Sequence, residues 1–154
     1  MQDNGSRPLA LVTGASSGLG PDLARELARH GHDVVITARR EPELEALAAE
    51  LRTLGARATV VAKDLSVPGA ARSLAAELET RGLRLDVLVN NAGFGDVGAF
   101  VREDPDRIDA MLQLNMSALA ALTRAVLPGM VERRRGRIMF VASTAAFQPG
   151  PNMA

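Results

Sequence analysis

The chain has no cysteine, no tyrosine and no tryptophan. Without cysteine it can form no disulfide, thiol nucleophile or cysteine metal site. His30 and His32 are its two histidines, too few for a multi-histidine site, so no metal is expected. An excess of charge of one sign is also missing: 18 Lys+Arg balance 18 Asp+Glu. Nothing global therefore draws the chain to nucleic acid or an anionic membrane. Lysine is nearly absent, with Lys63 alone. Met1 to Pro8 are polar and include Asp3, unlike a signal peptide. The longest uncharged run, residues 138–154, is broken by two prolines and a glycine and is too short to span a bilayer. These absences lead to the expectation of a cytoplasmic protein with neither nucleic-acid nor membrane partners.

The chain does have the ordinary composition of a globular domain: 154 residues, 47% hydrophobic and 23% charged. A polar tail over 1–7 and one domain over 8–154 are expected. Short apolar runs at Leu9–Thr13, Val34–Ala38, Ala58–Ala62, Val87–Asn90 and Ile138–Ala142 read as buried parallel strands. Helical patterns lie between them, over Gly18–His30, from Pro42 to about Leu54, from near Pro68 to before Gly82, and over Asp106–Met130. The alternation predicts an α/β fold, a Rossmann-like, doubly wound parallel sheet with helices on both faces. The arginines at 133, 134, 135 and 137 read as a solvated helix end rather than a nucleic-acid patch, because no aromatic residues interleave them.

The first strand runs directly into Thr13-Gly14-Ala15-Ser16-Ser17-Gly18-Leu19-Gly20 and then a helix. Small residues let backbone pass close to a ligand, and a helix N-terminus offers free N–H groups to a phosphate. The second strand ends in Arg39-Arg40, where an acid would otherwise meet a free ribose 2′-hydroxyl. A guanidinium can fork onto a 2′-phosphate, so NADP(H) is favoured over NAD(H). Pairing of these arginines with Glu41, Glu43 or Glu45 is the plainer alternative, and both can hold together.

With these features the chain resembles the short-chain dehydrogenase/reductase family over Leu9 to Ala154. The Thr13–Gly20 turn is similar to that family's cofactor motif. Asp64-Leu65 resembles the pair whose acid holds the adenine, and Asn90-Asn91-Ala92-Gly93 matches the family's signature after the fourth strand. The resemblance implies cofactor contacts from Gly14, Ser16, Ser17, Gly18, Leu19, Gly20, Arg39, Arg40, Asp64, Leu65, Asn91, Ala92 and Gly93. It further implies that Ser143 holds a substrate carbonyl and that Asn115 supports a water relay. Read without it, Ser143 is a turn serine and Asn115 a satisfied core asparagine. The activity implied is interconversion of a carbonyl and an alcohol by hydride transfer, in a protein that is a homo-oligomer when full length.

The family's proton donor is a tyrosine with a lysine one helical turn on. Counting from Ser143, that pair falls just beyond Ala154. The sequence thus looks cut off after its fifth strand, with residues 147–154 as the approach to the next helix. The 154 residues alone are then expected to be inactive, marginally stable and poorly soluble. The alternatives are an NADP(H)-binding module without chemistry and a non-functional fragment.

Overall fold

A computed structural model describes residues 7–147 and 150–152. Residues 1–6 of the expected tail, and four residues of the expected approach loop (148, 149, 153 and 154), lie outside it.

The elements follow in the order β1 (Leu9–Thr13), α1 (Leu19–Arg29), β2 (Asp33–Ala38), α2 (Glu41–Thr53), β3 (Ala58–Ala62), α3 (Ala70–Thr80), β4 (Val87–Asn90), α4 (Pro105–Leu112), α5 (Leu119–Glu132) and β5 (Arg137–Phe140). The sheet order is β3-β2-β1-β4-β5, and every pairing is parallel. The chain winds outward from β1 on one side and from β4 on the other. The crevice where the winding reverses lies at the C-terminal ends of β1 and β4.

Alternation along the strands divides the core in two. Val12, Val34, Ile36 and Val89 face one side and pack with Ala24, Ala28, Leu44, Leu47 and Leu51 of α1 and α2. Leu11, Val35, Val61 and Leu88 face the other and pack with Leu74, Leu78, Leu122 and Met130 of α3 and α5. The buried positions of α1 are Gly20, Ala24 and Ala28, spaced four apart. Small side chains at that spacing let the helix lie close against the sheet.

Three elements differ from the sequence reading. The third helix begins at Ala70 rather than near Pro68, because Gly69 takes a left-handed φ of 84° that a helix cannot accommodate. The long fourth helix is interrupted by a π-helical stretch, Gln113–Ala118, between α4 and α5. The last strand is Arg137–Phe140, shorter than expected and at the sheet edge, with Met139 and Phe140 about half exposed.

Among the described residues one helical stretch, Pro105–Glu132, is long and apolar enough to cross a membrane by length and composition. It connects β4 to β5 and packs on the core through Ala118, Leu122 and Met130, while Leu112, Met116, Leu127 and Val131 along it are exposed.

Candidate functional site

The crevice is built on Thr13, the last residue of β1. Its buried Oγ1 accepts hydrogen bonds from the backbone N–H groups of Asn91 (3.0 Å) and Ala92 (2.9 Å) and donates to the Val89 carbonyl (3.3 Å). One hydroxyl therefore ties the end of β1 to the segment that leaves β4. The Asn91 amide returns the tie, donating from Nδ2 to the carbonyls of Thr13 (2.9 Å) and Gly14 (3.3 Å). Asn90 instead reaches Thr123 of α5, at 3.1 Å.

The glycine-rich turn is shaped by close approach. A Cβ on Gly14 would lie 2.7 Å from Ala92 Cα, and one on Gly20 would lie 2.3 Å from the Gly14 carbonyl oxygen. Gly20 thus lets α1 sit directly beneath the turn. Gly18, with a φ of 60°, is the residue before α1, and no side chain caps that helix. Its first N–H groups are left to face a ligand.

A cavity of about 360 Å³ opens above these residues. Of the expected cofactor contacts, Gly14, Ser16, Ser17, Gly18, Leu19, Arg39, Arg40, Asp64, Leu65, Asn91, Ala92 and Gly93 line it; Gly20 does not, being beneath the turn. Thr37, Ala38, Lys63, Phe94 and Leu114 complete the walls. Thr37 and Ala38 end the buried run of β2. Phe94 directly follows the Asn90–Gly93 motif, so both positions had a signal in the sequence.

The charged groups around the cavity are differently engaged. Asp64 Oδ1 accepts from the Ser66 N–H (2.9 Å) and hydroxyl (2.6 Å), forming a short turn at the rim. Lys63 donates to Ser73 and to Glu77, both at 3.0 Å, so its ammonium is drawn toward α3. That ammonium holds the Glu77 carboxyl below the ordinary glutamate range, and Arg81 adds to the effect. Arg40 forks between Ser16 and Glu43. Arg39, also at the cavity, has no hydrogen-bond or ion-pair partner among the described residues.

The expected catalytic residues stand apart from the cavity lining. Asn115 lies in the π-helical stretch, and its side-chain amide is engaged by the Phe94 backbone. Ser143 is exposed, and its Oγ accepts the Ala145 N–H at 3.1 Å, at the head of a short 3-10 helix, Thr144–Phe147. Between them the loop after Gly93 is fastened at two points. Arg107 lies over the Phe94 ring, 5.2 Å from its centroid, and pairs with Asp96. The Gly98 N–H donates to the Asn152 carbonyl at 2.7 Å.

The short chain dehydrogenase family model matches residues 8–154. A short chain dehydrogenase of Pseudocercospora fijiensis is 39% identical over 145 residues, covering 92% of this chain and 47% of that protein. An NADP-dependent 3-hydroxy acid dehydrogenase of Salmonella typhi is 38% identical over 142 residues, covering 92% of this chain and 56% of that protein. The chain thus spans about half the length of the curated relatives it matches. Among solved structures, a metagenomic short-chain oxidoreductase in complex with NADP superposes with a TM-score of 0.89 at 38% identity, over 96% of this chain and 67% of that one. A Sphingobium yanoikuyae short-chain dehydrogenase in complex with NADPH gives 0.87 at 37% identity, over 95% of this chain and 57% of that one.

Proposed function

From the premise that the chain belongs to the short-chain dehydrogenase family, we propose that it forms the NADP(H)-binding part of an oxidoreductase that interconverts a carbonyl and an alcohol. The observation that carries this reading is the convergence of the glycine-rich turn, Arg39 and Asp64 on one crevice at the β1–β4 switch point. The nucleotide's diphosphate fits the uncapped N-terminus of α1, where backbone N–H groups and the helix dipole favour negative charge. The adenine fits beside Asp64 and Leu65, and Arg39, whose guanidinium has no partner among the described residues, suits the 2′-phosphate. Asn91, Ala92 and Gly93 form the wall along which the ribose and nicotinamide would lie. The NADP and NADPH complexes among the similar structures support this choice of cofactor.

The bound nucleotide supplies the hydride; the protein supplies position and a polar environment. In this reading Ser143 donates a hydrogen bond to the substrate carbonyl oxygen, where negative charge grows during reduction. Asn115 holds the loop at Phe94, which lines the crevice. Reduction also requires a proton. Residues 1–154 contain no tyrosine, and Lys63 is held by Glu77 and Ser73.

The test is NADPH oxidation by a protein containing this chain, followed with a panel of ketones and aldehydes. Turnover that falls by roughly 10²–10³ in Ser143→Ala supports the assignment of the serine. Tight NADPH binding with no turnover on any carbonyl points instead to a binding module.

A further inference from the structure

The two arginines that end β2 are adjacent in sequence and differ in what they touch. Arg40 is the residue before α2, and its carbonyl accepts the Leu44 N–H. Its guanidinium forks: Nη2 donates to the Ser16 carbonyl (3.0 Å) and Oγ (3.3 Å), while Nη1 meets the Glu43 carboxylate at 3.1 Å. Among the described residues this is the one hydrogen-bonded tie between residues 16–18 and another element. Arg39 has no such commitment.

We propose that Arg40 is a positioning residue, which clamps the outer half of the glycine-rich turn to the head of α2 and leaves recognition of the 2′-phosphate to Arg39. The inference rests on the nucleotide-binding reading above and divides that site's two cations by role. The physical reason is that both ends of the Arg40 fork are occupied and its charge is offset by Glu43, so drawing it onto a phosphate would break three contacts. The turn it holds carries the backbone that would face the diphosphate, which NADPH and NADH share. Arg40 therefore serves both nucleotides equally, and only Arg39 distinguishes them.

The experiment is calorimetric titration of NADPH and NADH into the wild-type chain, Arg39→Ala, and the double variant Arg40→Ala/Glu43→Gln. The second substitution leaves no bare carboxylate beside the ribose to repel a phosphate. Both side chains are about half exposed, at 52% and 42%, so the fold does not depend on them. The double variant should weaken both nucleotides by about fivefold to tenfold and keep their ratio within about twofold. Arg39→Ala should lower the ratio by about tenfold or more. Hydrogen exchange in the nucleotide-free chain gives an independent reading: amides of residues 16–19 should exchange several-fold faster in the double variant. The proposal is overturned if the double variant shifts the ratio as strongly as Arg39→Ala, or if it changes neither affinity nor exchange. A wild-type chain that binds neither nucleotide overturns the underlying reading, and the division of roles with it, even where exchange shows the clamp.

Discussion

Asn115 grips the backbone of Phe94 from both sides: its Oδ1 accepts the Phe94 N–H at 3.1 Å and its Nδ2 donates to the Phe94 carbonyl at 2.8 Å. One side-chain amide thus substitutes for a β-ladder partner at a point where the chain has left β4. Asn115→Ala removes both bonds and strands two partly buried backbone groups. A loss of about 1–3 kcal/mol of unfolding free energy is expected, measured by urea denaturation. Asn115→Asp, which keeps the acceptor and sets a carboxylate against a carbonyl, should recover little of it.

Gly20 has no room for a side chain. A methyl there would meet the Gly14 carbonyl at 2.3 Å and Ala15 Cα at 2.8 Å, both fixed backbone. Gly20→Ala should push α1 away from the turn, lowering stability by about 1–3 kcal/mol and weakening nucleotide binding more than tenfold. Thermal melting and NADPH titration of the same variant check the two effects together.

Arg7 gathers the C-terminal ends of two helices. Its guanidinium donates to the carbonyls of Ala28 (3.0 Å), in the last turn of α1, of Gly31 (3.1 Å), just past it, and of Gly55 after α2, and it pairs with Asp33 at 3.5 Å. A cation at two helix C-termini complements both dipoles. Arg7→Ala should destabilise the chain by about 1–3 kcal/mol. Arg7→Lys, a point charge without the planar fork, should restore only part of it in the same unfolding experiment.

Glu77 gives a pH dependence with a definite sign. Lys63 is the main cause of its lowered pKa. A carboxylate lowered on folding adds stability that is complete above its unfolded pKa, ordinarily 4.5, and that is lost as pH falls through the lower folded value. Wild-type stability should therefore fall faster with acid below about pH 4.5 than that of Glu77→Gln. Parallel acid dependences for the two proteins would contradict this.

The sheet was legible in the sequence because its strands are continuous apolar runs, largely buried in β1, β2 and β4, and punctuated by glycine and proline. Of the twelve expected residues that line the cavity, the turn's glycines and the arginines ending β2 were legible from turn chemistry and strand ends, and the rest through resemblance to the family's motifs. What local sequence does not encode is pairing across the fold. The π-helical stretch around Asn115 carries no composition signal, and the backbone its side chain engages, that of Phe94, lies in a loop 21 residues earlier. Thr13 reads as an ordinary strand residue, yet its hydroxyl joins two strands that are 76 to 79 residues apart in the chain. The differing engagements of Arg39 and Arg40 likewise depend on where Ser16 and Glu43 come to rest.

The central claim is that the crevice at the ends of β1 and β4 is an NADP(H) site, and titration of the chain with NADPH and NADH tests it most directly. The chain has neither tryptophan nor tyrosine, so the fluorescence of the reduced nicotinamide can be followed with little protein background. Saturable binding of one NADPH per chain, with NADH about tenfold or more weaker, is the predicted result. Absence of saturable binding, or equal binding of the two nucleotides, would contradict it.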